Sequence, residues 1–175
     1  GSNFFKNEIN CNLTGKYSSA FINGIFFLNN DKHHEIRSIV NHLTENTKSY
    51  QLIKGVIEDS SKAVYQGKIF VNSKEKKTDG YQLSKAILLN KNSEFNAKPE
   101  LEIYADDVKC SHGSTSGNLN EDSIFYLMWR GLHYEQSKEL LINGFLLDVV
   151  DKITDVEIKN LIKNLIGVKE WILIK

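Results

Sequence analysis

From about Lys16 to Lys109 the chain alternates short extended runs with clusters of Asn, Asp, Gly, Ser and Lys. The runs Gly24–Leu28, Glu35–Leu43, Tyr50–Ile57, Ala63–Val71, Gln82–Leu89 and Leu101–Val108 predict strands. Ala63-Val64-Tyr65-Gln66-Gly67-Lys68-Ile69-Phe70-Val71 shows the clearest two-residue period, which puts alternate side chains on opposite faces. Asn29-Asn30-Asp31, Glu58-Asp59-Ser60-Ser61 and Thr78-Asp79-Gly80 predict the turns between them, because these residues tolerate or stabilise bent backbone. No Asn-Gly or Asp-Gly pair sits between two well-alternating runs to announce a tight hairpin. Many short strands without hairpin signals suit a sandwich or a coil of stacked parallel strands, and periodicity alone does not choose between them.

After Asn118 the period changes to that of a helix. Ile124, Leu127 and Met128 fall on one face, with Asn120 placed as N-cap and Gly131 just past the end. Leu140, Leu141, Phe145 and Val149 predict the apolar stripe of a second helix from about Tyr134 to Lys152. Thr154-Asp155-Val156-Glu157 has the form of a capping box ahead of Ile158, Leu161, Ile162 and Leu165. Trp171-Ile172-Leu173-Ile174 is an apolar end that needs cover. The expectation is a mainly β body over residues 3–117 and a helical region over 118–175, with Gly1-Ser2 read as the scar of a cleaved tag.

A length of 175 residues suffices for one substantial core. With 22 basic and 22 acidic residues, no charge excess argues for nucleic acid. Apolar runs such as Ile25 to Leu28 and Ile87 to Leu89 are far too short to cross a membrane as helices. Two cysteines, Cys11 and Cys110, cannot make a disulfide framework and suit a reducing compartment. Nucleotide binding has no support, since no Gly-rich loop followed by Lys-Ser or Lys-Thr is present.

The chemistry concentrates at Cys110 and His112. In extended backbone, two residues apart means one shared face, so a thiol and an imidazole would stand side by side. Such a pair suits a soft metal, or a nucleophile and its base. Judged on residue type alone, the pair is more often packing than chemistry, since free cysteine behaves as a small hydrophobe in most cores. The other histidines read as structural: His33-His34 at a turn, His42 capping a turn or lining the interior, His133 at a helix end. Cys11 has no partner in sequence, and the neighbours Asp106-Asp107 would face opposite sides of a strand.

The block Lys98-Pro99-Glu100-Leu101-Glu102-Ile103-Tyr104-Ala105-Asp106-Asp107-Val108-Lys109-Cys110-Ser111-His112-Gly113 resembles the SufB/SufD family of the SUF iron–sulfur cluster assembly machinery, in its SufD branch. Tyr65-Gln66-Gly67-Lys68-Ile69, Lys77-Thr78-Asp79-Gly80-Tyr81-Gln82, Phe125-Tyr126-Leu127 and Arg130-Gly131-Leu132 fit the same family, so the resemblance runs from roughly His33 to Val150. SufB-like chains carry a Glu-His-Glu-Ala-Thr sequence where this one has Ser111-His112-Gly113-Ser114-Thr115, and a Gln-Cys-Asp cysteine that is missing here.

The resemblance implies a right-handed parallel β-helix, here partial, followed by a C-terminal helical region. It implies a scaffold, not an enzyme, working in the bacterial cytoplasm or the plastid stroma. Its partners would be SufB and the ATPase SufC. His112 and Cys110 would be candidate ligands of a nascent iron–sulfur cluster, transient and shared with SufB, and none would be held stably by this chain alone. Trp129 and Arg130 would be candidate contacts for SufC, although Trp129 could instead plug the end of the β-helix. The missing family parts mark the chain as an expected C-terminal fragment, one with open strand edges that could pair as a homodimer. Two alternatives remain at this point: a SufB-like cluster-carrying subunit, disfavoured by Gly113, and a β-helix carbohydrate-active enzyme, disfavoured by the lack of clustered carboxylates.

Overall fold

The computed structural model describes residues 2–167. The Gly1-Ser2 expectation and the Trp171–Ile174 apolar end therefore fall, in part or wholly, outside the described residues. Two compact units divide between Gly117 and Asn118.

The first unit contains β1 (Phe4–Leu13), β2 (Ser19–Leu28), β3 (His33–His42), β4 (Lys48–Ile57), β5 (Lys62–Val71), β6 (Asp79–Leu88), β7 (Glu94–Ile103) and β8 (Lys109–Gly117). Odd and even strands separate into two sheets, ordered β1-β3-β5-β7 and β2-β4-β6-β8, and all pairs are parallel. Each turn of chain thus lays one strand on each sheet and climbs one rung. This is the stacked-coil alternative, a parallel β-helix of four rungs, and the expected fold class is borne out. Equivalent atoms recur 29 to 31 residues apart, as in the corner bonds from Asn30 to Asp59 and from Asp59 to Asn90.

Two interior clusters fill the coil. Leu28, Ile57, Ala63 and Ala86 pack with Phe26, Leu88 and Phe95, while Ile69, Val71 and Ala105 pack with Leu101, Ile103, Val108 and Cys110. The predicted alternation holds in β5, where Ala63, Tyr65, Gly67, Ile69 and Val71 are buried and the residues between them half-buried. The interior also holds buried polar residues. His42 bridges Thr47 Oγ1 at 2.7 Å and Ser49 Oγ at 2.9 Å, and Ser38 Oγ donates to Gln51 Oε1 at 2.6 Å.

The corners repeat a backbone device that composition hides. Tyr17, Asn46, Lys77 and Asp107 take φ between 55° and 65° at the same place in successive turns. Backbone bonds tie neighbouring corners together, from Asn46 N–H to the Lys76 carbonyl at 3.0 Å and from Lys77 N–H to the Asp107 carbonyl at 2.8 Å. At the opposite corner side chains do the stacking, since Asn30 N–H donates to Asp59 Oδ2 and Asp59 N–H to Asn90 Oδ1, each at 2.8 Å.

Several expectations need correction. The strand expected at Leu101–Val108 is β7, which begins at Glu94 and ends at Ile103; Tyr104 to Val108 form the corner instead. Pro99 obscures β7 in the sequence, yet Pro is tolerated there because β7 is the last strand in its sheet's order and an outward N–H is not needed. β1 was not expected at all, its run being broken by Asn7, Asn10 and Asn12. The His33-His34 pair begins β3 instead of occupying a turn.

The second unit holds α1 (Glu121–Trp129), α2 (Tyr134–Val150) and α3 (Val156–Leu165). Asn120 caps α1 as expected, its Oδ1 accepting the Ser123 N–H at 2.9 Å, and Gly131 follows with φ 97°. The buried face of α2 centres on Asn143, Leu146, Val149 and Val150, so of the four residues expected there only Val149 is fully buried. The cap of α3 is Asp155 and not Thr154: its Oδ1 accepts the Ile158 N–H at 3.0 Å.

Candidate functional site

β8 completes the second sheet's order, and its alternation decides which way Cys110 and His112 point. Register pairs Gly80 with Cys110, Gln82 with His112 and Ser84 with Ser114. Gly80, Gln82, Ser84 and Ala86 are the buried, interior positions of β6. Cys110, His112 and Ser114 therefore share the interior-facing side of the last rung, as the two-residue spacing requires. Outward lie Ser111 and Gly113; a Cβ on Gly113 would stand 3.1 Å from Leu83 Cδ1.

The two candidate ligands differ in environment. Cys110 is half-buried against the Ile69, Val71 and Ala105 cluster, close above Gly80. Burial pushes its thiol pKa up, and a bond with the Gly80 backbone opposes this only in part, so it rests as a thiol at neutral pH. A metal would have to displace that proton. His112 is exposed, as β8 has no strand stacked above it in the sheet order. Beside them Ser84 Oγ donates to Ser114 Oγ at 3.0 Å.

Among the described residues, no group of three or more His, Cys, Asp and Glu side chains could hold a metal ion. Cys110 and His112 offer one sulfur and one nitrogen, donors suited to iron, but they do not close a coordination sphere.

The remaining histidines have structural surroundings. His33 leans on Phe4 at 5.4 Å and bonds Glu35, while His34 lies tilted against Phe5 at 5.0 Å, with its pKa lowered by burial and then by Lys32 and His33. His42 is fully buried with both ring nitrogens bonded, and burial lowers its pKa to about 4. His133 donates its backbone N–H to Gln136 Oε1 at the start of α2. Cys11 is half-buried in β1, in register with Val40.

In the helical unit Trp129 is 90% exposed, and the Arg130 guanidinium lies 5.6 Å from the centre of the Tyr126 ring. Ile158, Leu161 and Leu165 are all exposed on α3, whose apolar residues are gathered on one side by their spacing.

A family model described as "SUF system FeS cluster assembly, SufBD core domain" matches residues 1–145. The chain belongs to the SufB/SufD family. It is 32% identical over 167 residues to the iron-sulfur cluster assembly protein SufD of Escherichia coli, covering 95% of this chain and 40% of that protein. It is 40% identical over 103 residues to the SufBD family protein slr0076 of Synechocystis, covering 59% of the chain and 23% of the relative. Protein ABCI7, chloroplastic, of Arabidopsis thaliana is 39% identical over 117 residues, covering 66% and 25%. The chain thus spans less than half the length of each of these relatives. Among the described residues no helix is long and apolar enough to cross a membrane.

What sequence reasoning missed is the polar interior beneath β8. Gln51, Gln82, Ser38 and Tyr65 are buried polar residues at alternating strand positions, and that alternation was the available signal.

Proposed function

We propose that this chain is part of a SufD-like scaffold subunit, which helps to form nascent iron–sulfur clusters at an interface with SufB and docks the ATPase SufC through its helices. The observation that carries this reading is the shared placement of Cys110 and His112 on the interior-facing side of β8, with His112 exposed at the end of the sheet order. The cluster is cargo, not a resident cofactor. His112 supplies a neutral imidazole nitrogen; Cys110 supplies sulfur once its proton leaves. Remaining ligands come from the partner across the terminal strand, so the site is complete only in the assembly. The chain itself turns over no substrate and acts as a scaffold. The bacterial cytoplasm and the plastid stroma both suit it, in line with the E. coli and chloroplastic relatives.

For SufC docking, the exposed Trp129 indole and the Arg130–Tyr126 pair supply the anchor types that dominate protein interfaces.

Two measurements test this. His112→Ala in the full-length protein, assembled with its cognate SufB and SufC, is expected to lower cluster formation at least tenfold without preventing assembly. Undiminished cluster formation would remove His112 from the site. The chain should co-elute with cognate SufC in size-exclusion chromatography with light scattering, and Trp129→Ala should weaken that complex. Elution of the chain alone, as monomer or as homodimer, in the presence of SufC would count against docking through these helices.

A further inference from the structure

Gln51, Gln82 and His112 occupy one register position on three successive strands of the second sheet. In parallel strands such residues lie about 4.8 Å apart and project to the same face. Both glutamines are fully buried, and they form the polar column immediately beneath the exposed imidazole.

The column is unevenly satisfied. Gln51 Oε1 accepts from Ser38 Oγ at 2.6 Å and from the Tyr65 hydroxyl at 3.4 Å, which anchors that amide. Gln82 Nε2 donates to the Glu100 carbonyl at 3.5 Å, a long bond. Gln51 Nε2 and Gln82 Oε1 have no hydrogen-bond partner among the described residues. A buried carbonyl oxygen without a donor forfeits its hydration with nothing in return, so an acceptor held this way has a use elsewhere or a strong reason to be there. Space for the Gln82 head is provided across the coil by Gly67, where a Cβ would fall on Gln82 Oε1 and within 2.7 Å of the Tyr65 hydroxyl. The last torsion of a glutamine is broad, so the head can turn from Gly67 toward the rung above, giving up the long bond to the Glu100 carbonyl.

We propose that Gln82 is a positioning residue for His112: its Oε1 accepts one ring N–H of the imidazole and leaves the other ring nitrogen free to bind metal. This rests on the reading of His112 as a metal ligand. Histidines that bind metals almost always donate their second N–H to a carboxylate, carbonyl or water, which fixes the tautomer and strengthens the ligand. An amide carbonyl does this without adding charge. It has two acceptor sites, so Gln51 Nε2, one rung below, can donate to the other. The column then runs as one line of donors and acceptors from Ser38 to His112.

The test uses full-length protein with 15N-labelled histidine and long-range proton–nitrogen NMR to read the His112 tautomer. One neutral tautomer should predominate in the parent protein. Gln82→Met, similar in volume but without an acceptor, should relax that preference, and Gln82→Glu, which keeps an acceptor, should restore it. Affinity for Co(II), used as the probe metal, should fall about tenfold to a hundredfold in Gln82→Met. His112→Ala, at an exposed position, guards against misfolding of the buried variants, because the Gln82 side-chain amide signals should shift when the imidazole is removed. Unchanged His112 nitrogen shifts in Gln82→Met, or unmoved Gln82 amide signals in His112→Ala, would overturn the proposal. If His112→Ala binds Co(II) as tightly as the parent, the ligand reading itself fails; the tautomer measurements still report independently on the Gln82 bond.

Discussion

At the scale of single residues, the interior is where this chain departs from an ordinary apolar core. His42 shows how a buried polar group is made tolerable: Thr47 and Ser49 hold both ring nitrogens, and burial pushes the pKa down to about 4. An unfolded histidine titrates near 6.5, so the folded state disfavours the proton. Its contribution to stability is complete above about pH 6.5 and is lost as pH falls toward 4, by about 3 kcal/mol in full. Urea unfolding at a series of pH values should therefore show a midpoint that declines across this window. His42→Gln should flatten the decline; an equally steep decline in that variant would assign the pH dependence to other groups. Gly55 makes a separate residue-scale case. A Cβ there would land inside the Phe26 ring, which belongs to a packed cluster with Leu28 and Ile57. Gly55→Ala should cost about 1–3 kcal/mol in denaturant unfolding, the usual penalty for overpacking, and an unchanged midpoint would mean that the ring moves aside freely.

The strands and corners show what a sequence can and cannot announce. β5 was legible because Ala63, Tyr65, Ile69 and Val71 alternate with polar or outward residues. β7 was displaced in the reading because Lys98, Pro99 and Glu100 look like a breaker, and because Tyr104, Ala105 and Val108 extend the apolar run into what is a corner, with Asp106 and Asp107 at its turn. α1 was legible to the residue, since Asn120 and Gly131 are local signals with local causes. The corners were not legible as a repeat. Their shared feature is positive φ, and the chain spends Tyr17, Asn46, Lys77 and Asp107 on it instead of glycine. Only the stacking of backbone bonds between turns reveals the equivalence, and stacking is a property of neighbours 29 to 31 residues away. A left-handed conformation costs an ordinary L-residue about 1–2 kcal/mol, and more for a β-branched one. Lys77→Gly should accordingly raise stability by about 0.5–1 kcal/mol, whereas Lys77→Val should lower it by more than that; thermal unfolding of the pair reads both signs at once. Equal midpoints would mean that the Lys77 corner rearranges without cost.

On the scale of the whole chain, a coil of parallel rungs distributes its stability along one axis. Each rung touches only its neighbours, so cohesion is a sum of rung and interface terms, and the last rung lacks one interface. The candidate site sits there: β8 carries Cys110 and His112, and its residues are mostly exposed, while those of β4 are mostly buried and those of β6 are buried or half-buried at all but one position. The family placement was legible from residues 98–113, a block that covers the end of β7, the corner and the start of β8; Leu101, Ile103, Ala105, Val108 and Cys110 pack on Ile69 and Val71 there, while His112 stays exposed. A strand with an unused edge and an exposed candidate ligand, His112, can accept a partner without breaking the core. The arrangement also dictates a gradient. Native-state hydrogen exchange on this chain should find the slowest amides in β4, β5 and β6, with β8 opening at a free energy several kcal/mol lower. A partner that covers β8 should slow exchange at residues 109–117 selectively and leave the middle rungs unchanged. Protection of β8 equal to that of β5 in the isolated chain would show that the last rung is not an open end, and a site completed in trans would then have to form elsewhere.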